Sequence, residues 1–292
     1  MPLVSSTRML RTARSGGYAV AAFNVHTLEM LQAVVEAATE LDAPVILQTT
    51  MGTVNHLGAD YIAAAACVAA DRTHVPVALH LDHCTDYAMI VACIRAGYTS
   101  VMIDASMKPY ADNAAATKRI VELAAPIGLN VEAELGRVGG VEDNIAVADR
   151  EAALADPDAC ARFVAETAVP TLAPAIGTAH GLYQGPPAID FDRIARIAAN
   201  VDVPLVLHGG SGIPQEQAKR AIALGMAKMN VATELRLAFT NAIKRVFKTN
   251  PGADDPRSYL KPAKEAVRDV VKQKIAICGA DGRAAQADRR CD

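Results

Sequence analysis

PLVLHGGSG, residues 204–212, runs from a proline through three apolar residues to a histidine, then into a glycine-rich turn. A short continuous apolar run bounded by turn signals reads as a strand buried on both faces, as in a parallel sheet. The pattern recurs upstream. PVALHLDH (76–83) and LAPAIGTAH (172–180) are also short apolar runs that close on a histidine. Eight such segments follow one another: Ala19–Val25, Pro44–Thr49, Val77–His83, Ser100–Ala105, Asn130–Leu135, Thr171–Gly177, Pro204–Gly209 and Lys228–Thr233. Helical patterns lie between them. Thr27–Leu41 carries Leu28, Leu31, Val34, Val35 and Ala38 at helical spacing, and Asp86–Ala96, Asn113–Ala125, Asp158–Thr167, Phe191–Asn200 and Pro214–Leu224 follow. Asp156 and Pro157 supply a cap and a helix-first proline. The alternation predicts an α/β fold, a (β/α)8 TIM barrel, as a single domain over 1–292. A doubly wound open sheet is the alternative; no G-x-G-x-x-G follows the first strand, which weakens its dinucleotide-binding form.

Three stretches break the rhythm. Gly136–Ala155, beginning GRVGGVEDN, is a long connection after the fifth strand, read as a lid or as a solvated insertion. Lys248–Arg257 is a second loop, and polar Gly279–Asp292 is expected to be a flexible tail.

Composition narrows the partners. Of 292 residues 51% are hydrophobic and none is Trp, so Ala, Val, Ile and Leu must fill the core. A net charge of −3 without a basic stripe argues against nucleic acid as a partner. Six cysteines at 67, 84, 93, 160, 278 and 291 form no C-x-x-C pair and suit a reducing compartment. The first twenty residues do not read as a signal peptide, and the apolar run Tyr61–Ala70 is too short to span a bilayer. These features predict a cytoplasmic protein with no membrane partner.

Barrel enzymes keep their chemistry at the C-terminal ends of the strands. His83, His180 and His208 all fall there. A catalytic zinc commonly has three protein ligands and one open position. Cys84, next to His83, is a further candidate ligand. His26, His56, His74 and His80 lack the shared placement, and His80 is expected to pack inside its strand. Asp104 and Glu134 end the fourth and fifth strands, where they can orient ligating histidines or hold the ion at an alternate position. The competing reading pairs each with an interior Lys or Arg. Glu132 shares the face of Glu134 one layer deeper. Asp82 either moves a proton on a metal-bound substrate or only supports a ligand. HGGSG (208–212) and NVAT (230–233) end the seventh and eighth strands, where barrels often bind phosphate. Glycine lets backbone N–H groups approach an anion there, and Ser211 and Thr233 add hydroxyls.

At these residues the chain resembles the class II, zinc-dependent ketose-bisphosphate aldolases. The likeness is closest to tagatose-1,6-bisphosphate aldolase catalytic subunits and extends to class II fructose-1,6-bisphosphate aldolases. It rests on YAVAAFNVH (18–26), ALHLDH (78–83), VEAELGRVGG (131–140), AIGTAHGLY (175–183), PLVLHGGSG (204–212), NVATEL (230–235) and DPRSYL (255–260). The resemblance implies Zn2+ on His83, His180 and His208, and Asp82 as the acid–base group at the C4 hydroxyl. It implies Gly181, Gly209, Gly210, Ser211, Asn230, Val231, Ala232 and Thr233 around a dihydroxyacetone phosphate half, with Asn24 nearby. Asp104 and Glu134 match an alternate or second metal position. Arg257 resembles an arginine that reaches a distal phosphate across a subunit interface, so a homodimer or homotetramer is expected. A monovalent cation (Na+ or K+) and a non-catalytic helper subunit are further expectations. Glu142 or Asp143 would exchange a proton at C3. The implied reaction is reversible cleavage of a ketose 1,6-bisphosphate to dihydroxyacetone phosphate and glyceraldehyde 3-phosphate. Gly210 departs from the tagatose-type pattern towards the fructose type, whereas NVATEL and GTAHGLY favour tagatose. A zinc-dependent hydrolase and a non-catalytic partner subunit are the distant alternatives.

Overall fold

The computed structural model describes residues 2–142, 145–147, 153–181, 183, 185 and 187–288. Helix α1 (Ser6–Gly16) precedes β1 (Val20–Asn24), α2 (Leu28–Glu40) and β2 (Val45–Thr49). Next come α3 (Met51–Leu57), α4 (Ala59–Asp71), β3 (Val77–Cys84), α5 (Tyr87–Ala96), β4 (Ser100–Ile103), α6 (Tyr110–Ala124) and β5 (Asn130–Leu135). An excursion, β6 (Gly139–Glu142) and β7 (Ile145–Val147), leads to α7 (Pro157–Thr167), β8 (Thr171–Pro174) and β9 (Ala179–His180). The chain ends with α8 (Phe191–Asn200), β10 (Leu205–Leu207), α9 (Gln215–Ala223), β11 (Met226–Val231), α10 (Thr233–Thr249), α11 (Pro256–Cys278) and α12 (Ala284–Asp288).

Eight strands close into a parallel barrel in the order β1-β2-β3-β4-β5-β8-β10-β11, with β11 back on β1. This is the predicted (β/α)8 barrel. Strands β1, β2, β3, β5 and β11 are buried at every residue, because helices cover one face and the barrel interior lies behind the other. Alanines let the helices approach closely: Ala33, Ala37 and Ala38 of α2 are fully buried. Even-numbered residues of β3, β5 and β11 face inward, including Asp82, Glu132, Glu134, Lys228 and Asn230. The β3–β4 register shifts between Leu81 and Cys84, the segment that carries Asp82 and His83. His83 has φ 44°, a left-handed conformation that costs an L-residue energy and is characteristic of functional sites.

Several elements differ from the sequence expectation. Helix α1 packs at the N-terminal end of the barrel, where Arg14 donates to the carbonyls of Ala198, Val201 and Val203. Two helices, α3 and α4, fill the interval before β3 where none was expected. The eighth strand begins at Met226 rather than Lys228, since Met226 already pairs with Leu205. Helix α6 begins at Tyr110, three residues before the expected Asn113. Residues 279–288 are not a loose tail. Gly282 and Ala284 donate to the carbonyls of Leu41 and Asp42, and Ala280, Ala284 and Ala287 are buried. The last four residues, 289–292, lie outside the described residues. The described parts of the long connection after β5 form a small sheet. β6 pairs antiparallel with β7 and parallel with β9, and Arg137 and Ala153 bond to each other at its base. No helix among the described residues is long and apolar enough to cross a membrane.

Candidate active site

Three strand ends bring three imidazoles together. His83 is the last residue but one of β3, His180 ends β9 beyond the sixth barrel strand, and His208 follows β10. Their ring centroids lie 4.8 Å (His83–His180), 4.6 Å (His83–His208) and 5.8 Å (His180–His208) apart. One nitrogen from each fits within a 4.8 Å sphere of mutual distances, which suits a single metal ion.

Carboxylates fix two of the rings. His83 Nδ1 meets Asp104 Oδ2 at 2.8 Å, and Asp104 Oδ1 accepts from the Ser106 N–H and hydroxyl. Burial opposes ionisation of Asp104, but these bonds prevail and hold it well below the usual carboxylate range. His83 Nε2 is thereby aimed at the other imidazoles. His208 is held from both sides, with Nε2 2.9 Å from Glu132 Oε1 and Nδ1 3.0 Å from Glu134 Oε2. Glu132 sits one layer deeper than Glu134, so Nε2 is turned into the barrel and Nδ1 towards its rim. Burial disfavours the His208 imidazolium, yet the two carboxylates outweigh it and raise the ring to about 9. A bound cation would displace that proton. His83, Asp104 and Glu134 also group within ligand distance, as the alternate-position reading requires.

Asp82 is fully buried beside this centre. Its oxygens accept from Gln48 Nε2 at 3.0 Å, Asn230 Nδ2 at 3.2 Å and Asn24 Nδ2 at 3.4 Å. Gln48 also donates to Asn24 Oδ1 at 2.6 Å, which locks the set. The carboxylate is therefore fixed in direction by amides from β1, β2 and β11.

Next to it opens a small, partly enclosed cavity, lined in part by Asn24, His180, Gly181, Gly209, Gly210, Ser211, Asn230, Ala232 and Thr233. The structure thus gathers most of the residues expected around a phosphate. The glycines are sterically required. A Cβ on Gly209 would lie 2.3 Å from Ala179 O, and one on Gly210 would lie 2.4 Å from Asn230 O. Their amides are not all turned towards the cavity. Gly210 N–H donates to Asn230 O, and Gly212 N–H donates to Glu234 Oε1. Ser211 Oγ accepts from the Ala232 and Glu234 N–H groups, tying the turn to the start of α10.

Other candidate residues lie away from the cavity or face it only in part. Val231 is fully buried on the helix side of β11, so only its main chain can serve the cavity. Cys84 points away, with its thiol on Asp86 O, and burial pushes it up to about 11. Arg257 lies on the outside in the first turn of α11, its side chain 90% exposed and paired with Asp255. The side chain of Glu142 and the whole of Asp143 lie outside the described residues. Sequence reasoning missed His26, Thr50 and Arg236, which also line the cavity. Arg236 was legible as one helical turn beyond Thr233; His26 follows the first strand directly. Tyr183 was missed too. Its hydroxyl donates to Gly209 O and accepts from Ala179 N–H, joining the His180 loop to the glycine turn.

Residues 4–283 match the family model described as fructose-bisphosphate aldolase class-II. The chain is 48% identical over 283 residues to the D-tagatose-1,6-bisphosphate aldolase subunit GatY of Klebsiella oxytoca, covering 97% of this chain and all of that one. The crystal structure of the YdjI aldolase from Escherichia coli K12 is 34% identical, with a TM-score of 0.85, over 97% of this chain and 99% of that one. Fructose-bisphosphate aldolase from Campylobacter jejuni, at 23% identity and a TM-score of 0.82 over 96% of each chain, shares the fold.

Proposed function

Since the chain belongs to the class-II fructose-bisphosphate aldolase family, we propose that it cleaves a ketose 1,6-bisphosphate, with D-tagatose 1,6-bisphosphate as main substrate. The products are dihydroxyacetone phosphate and D-glyceraldehyde 3-phosphate, and the reaction is reversible. The observation that carries this reading is the convergence of His83, His180 and His208 beside a buried, amide-held Asp82 at the rim of a glycine-built cavity.

In this reading His83, His180 and His208 would hold zinc. Asp104 and Glu132 orient the rings, and Glu134 offers the ion an alternate position. When bound, zinc would supply Lewis acidity that stabilises the negative charge left by C3–C4 cleavage. Asp82 takes the proton of the C4 hydroxyl as that oxygen becomes the aldehyde, C3 gains a proton from Glu142 or Asp143 to complete dihydroxyacetone phosphate, and both transfers reverse in condensation. Asn230 Oδ1 is buried and has no hydrogen-bond partner among the described residues, so it suits a substrate hydroxyl. Asn24, Gly181, Gly209, Ser211 and Thr233 surround the dihydroxyacetone phosphate half.

The proposal carries further parts from the sequence. A monovalent cation sits by the phosphate, Arg257 reaches the distal phosphate of a partner subunit, and a homo-oligomer and a helper subunit complete the assembly. The chain works in the cytoplasm, a setting supported by free Cys67, Cys84, Cys93, Cys160 and Cys278.

Side-by-side kcat/KM values on tagatose and fructose 1,6-bisphosphates, with zinc quantified, test the substrate. Tagatose is expected to be favoured; a higher value on fructose would reassign it. Gly210→Ala tests the cradle. Its methyl must displace the Asn230 backbone, at a cost of roughly 1–3 kcal/mol. A KM rise of about tenfold or more is expected with zinc content intact, and an unchanged KM would remove Gly210 from the phosphate site.

A further inference from the structure

Below the three histidines the barrel interior holds charge where most barrels pack branched aliphatics. Lys228 on β11 is 1% exposed, and its ammonium crosses the barrel to Glu132 Oε2 at 2.7 Å. The other oxygen of Glu132 holds His208. His80 stands alongside, its Nδ1 on Ser100 Oγ at 2.7 Å. His80 Nε2 is buried, makes no hydrogen bond among the described residues, and lies 3.8 Å from both Asp82 Oδ1 and Glu132 Oε2.

These three groups, one imidazole nitrogen and two carboxylate oxygens, lie within 4.8 Å of one another. As a donor set they suit a divalent cation as well as the upper trio does. The difference between the two levels is Lys228. A buried carboxylate demands a compensating charge, and removing its partner leaves that demand unmet. An ion seated at the lower level would claim Glu132 from His208 and Asp82 from its amides.

We propose that Lys228 is a built-in cation that fills this lower position, keeping Glu132 on His208 and confining the divalent ion to the upper site. The inference rests on the zinc reading of that upper site. Lys228 is a positioning residue that acts through Glu132. Its charge cannot dissociate from the chain, so the upper site is loaded without competition from below.

The test is metal stoichiometry after equilibration with excess zinc and gel filtration, repeated with Co2+ and its absorption spectrum. Wild type and Lys228→Arg should each hold one equivalent. Lys228→Met should hold a second, with an added cobalt band and a melting temperature that rises with metal. Lys228→Met/Glu132→Gln should return to one. A single equivalent at wild-type affinity in Lys228→Met overturns the proposal. So does its failure to fold even in excess zinc, because the ion must then be unable to replace the ammonium. A wild-type chain that binds no zinc, or binds it equally after His83→Ala, would instead sink the functional reading beneath it.

Discussion

Asp82→Ala is expected to lower kcat by roughly two to four orders of magnitude, the range for a positioned acid–base group, while one equivalent of zinc stays bound. The two readouts separate because of how the residue is held. Asp82 is clasped by Asn24, Gln48 and Asn230, whereas Asp104, Glu132 and Glu134 are the carboxylates on the histidine rings. Removing Asp82 should therefore take away the proposed acceptor for the C4 proton without loosening His83 or His208. Asp82→Asn keeps the shape and loses the basicity, so it should be nearly as slow. Turnover near that of wild type in either variant would end the assignment. Zinc loss in parallel with activity would turn Asp82 into a support for the metal site.

Metal removal should have the other large effect. Exhaustive chelation is expected to abolish cleavage, a loss of about a thousandfold or more, equivalent to at least roughly 4 kcal/mol of transition-state stabilisation. Restoring zinc should restore the rate. Borohydride with substrate should trap nothing. The alternative electron sink is a Schiff base, which needs an uncharged lysine amine near the substrate. Lys228, a buried lysine of the barrel interior, is paired with Glu132 one layer below the site. Activity that survives chelation, or a borohydride-stabilised lysine adduct, would replace the metal mechanism.

The barrel was legible because its strands are apolar on both faces and its helices carry clear periodicity. The helices that were missed lack that contrast. In α4, ADYIAAAACVAAD, alanine occupies inward and outward positions alike, so no face stands out. Helix α1 is mostly polar, and it is ordered by carbonyls at the barrel floor that no local pattern encodes. The site was legible where chemistry sits at a strand end next to a turn residue, as at His83, His180 and His208. It was not legible where a role depends on which side of the ring a neighbour occupies. Glu132 and Glu134 are two residues apart in sequence, yet one takes Nε2 of His208 and the other Nδ1. Lys228 looked like the polar start of a strand. Its partner lies on β5, across the barrel, and only closure brings them together.

The ladder between β6 and β9 bears on re-engineering this barrel by loop exchange. Gly139 and Gly140 pair with Ala179 and His180, and a Cβ on Gly140 would lie 2.2 Å from His180 O. The connection after the fifth strand is thus a splint for an imidazole that arrives from the sixth. A transplanted connection must bring its own glycine pair in the same register. One chosen only for length or for sugar preference would cast the third imidazole adrift and yield a chain with the fold of an aldolase and no ion to run it.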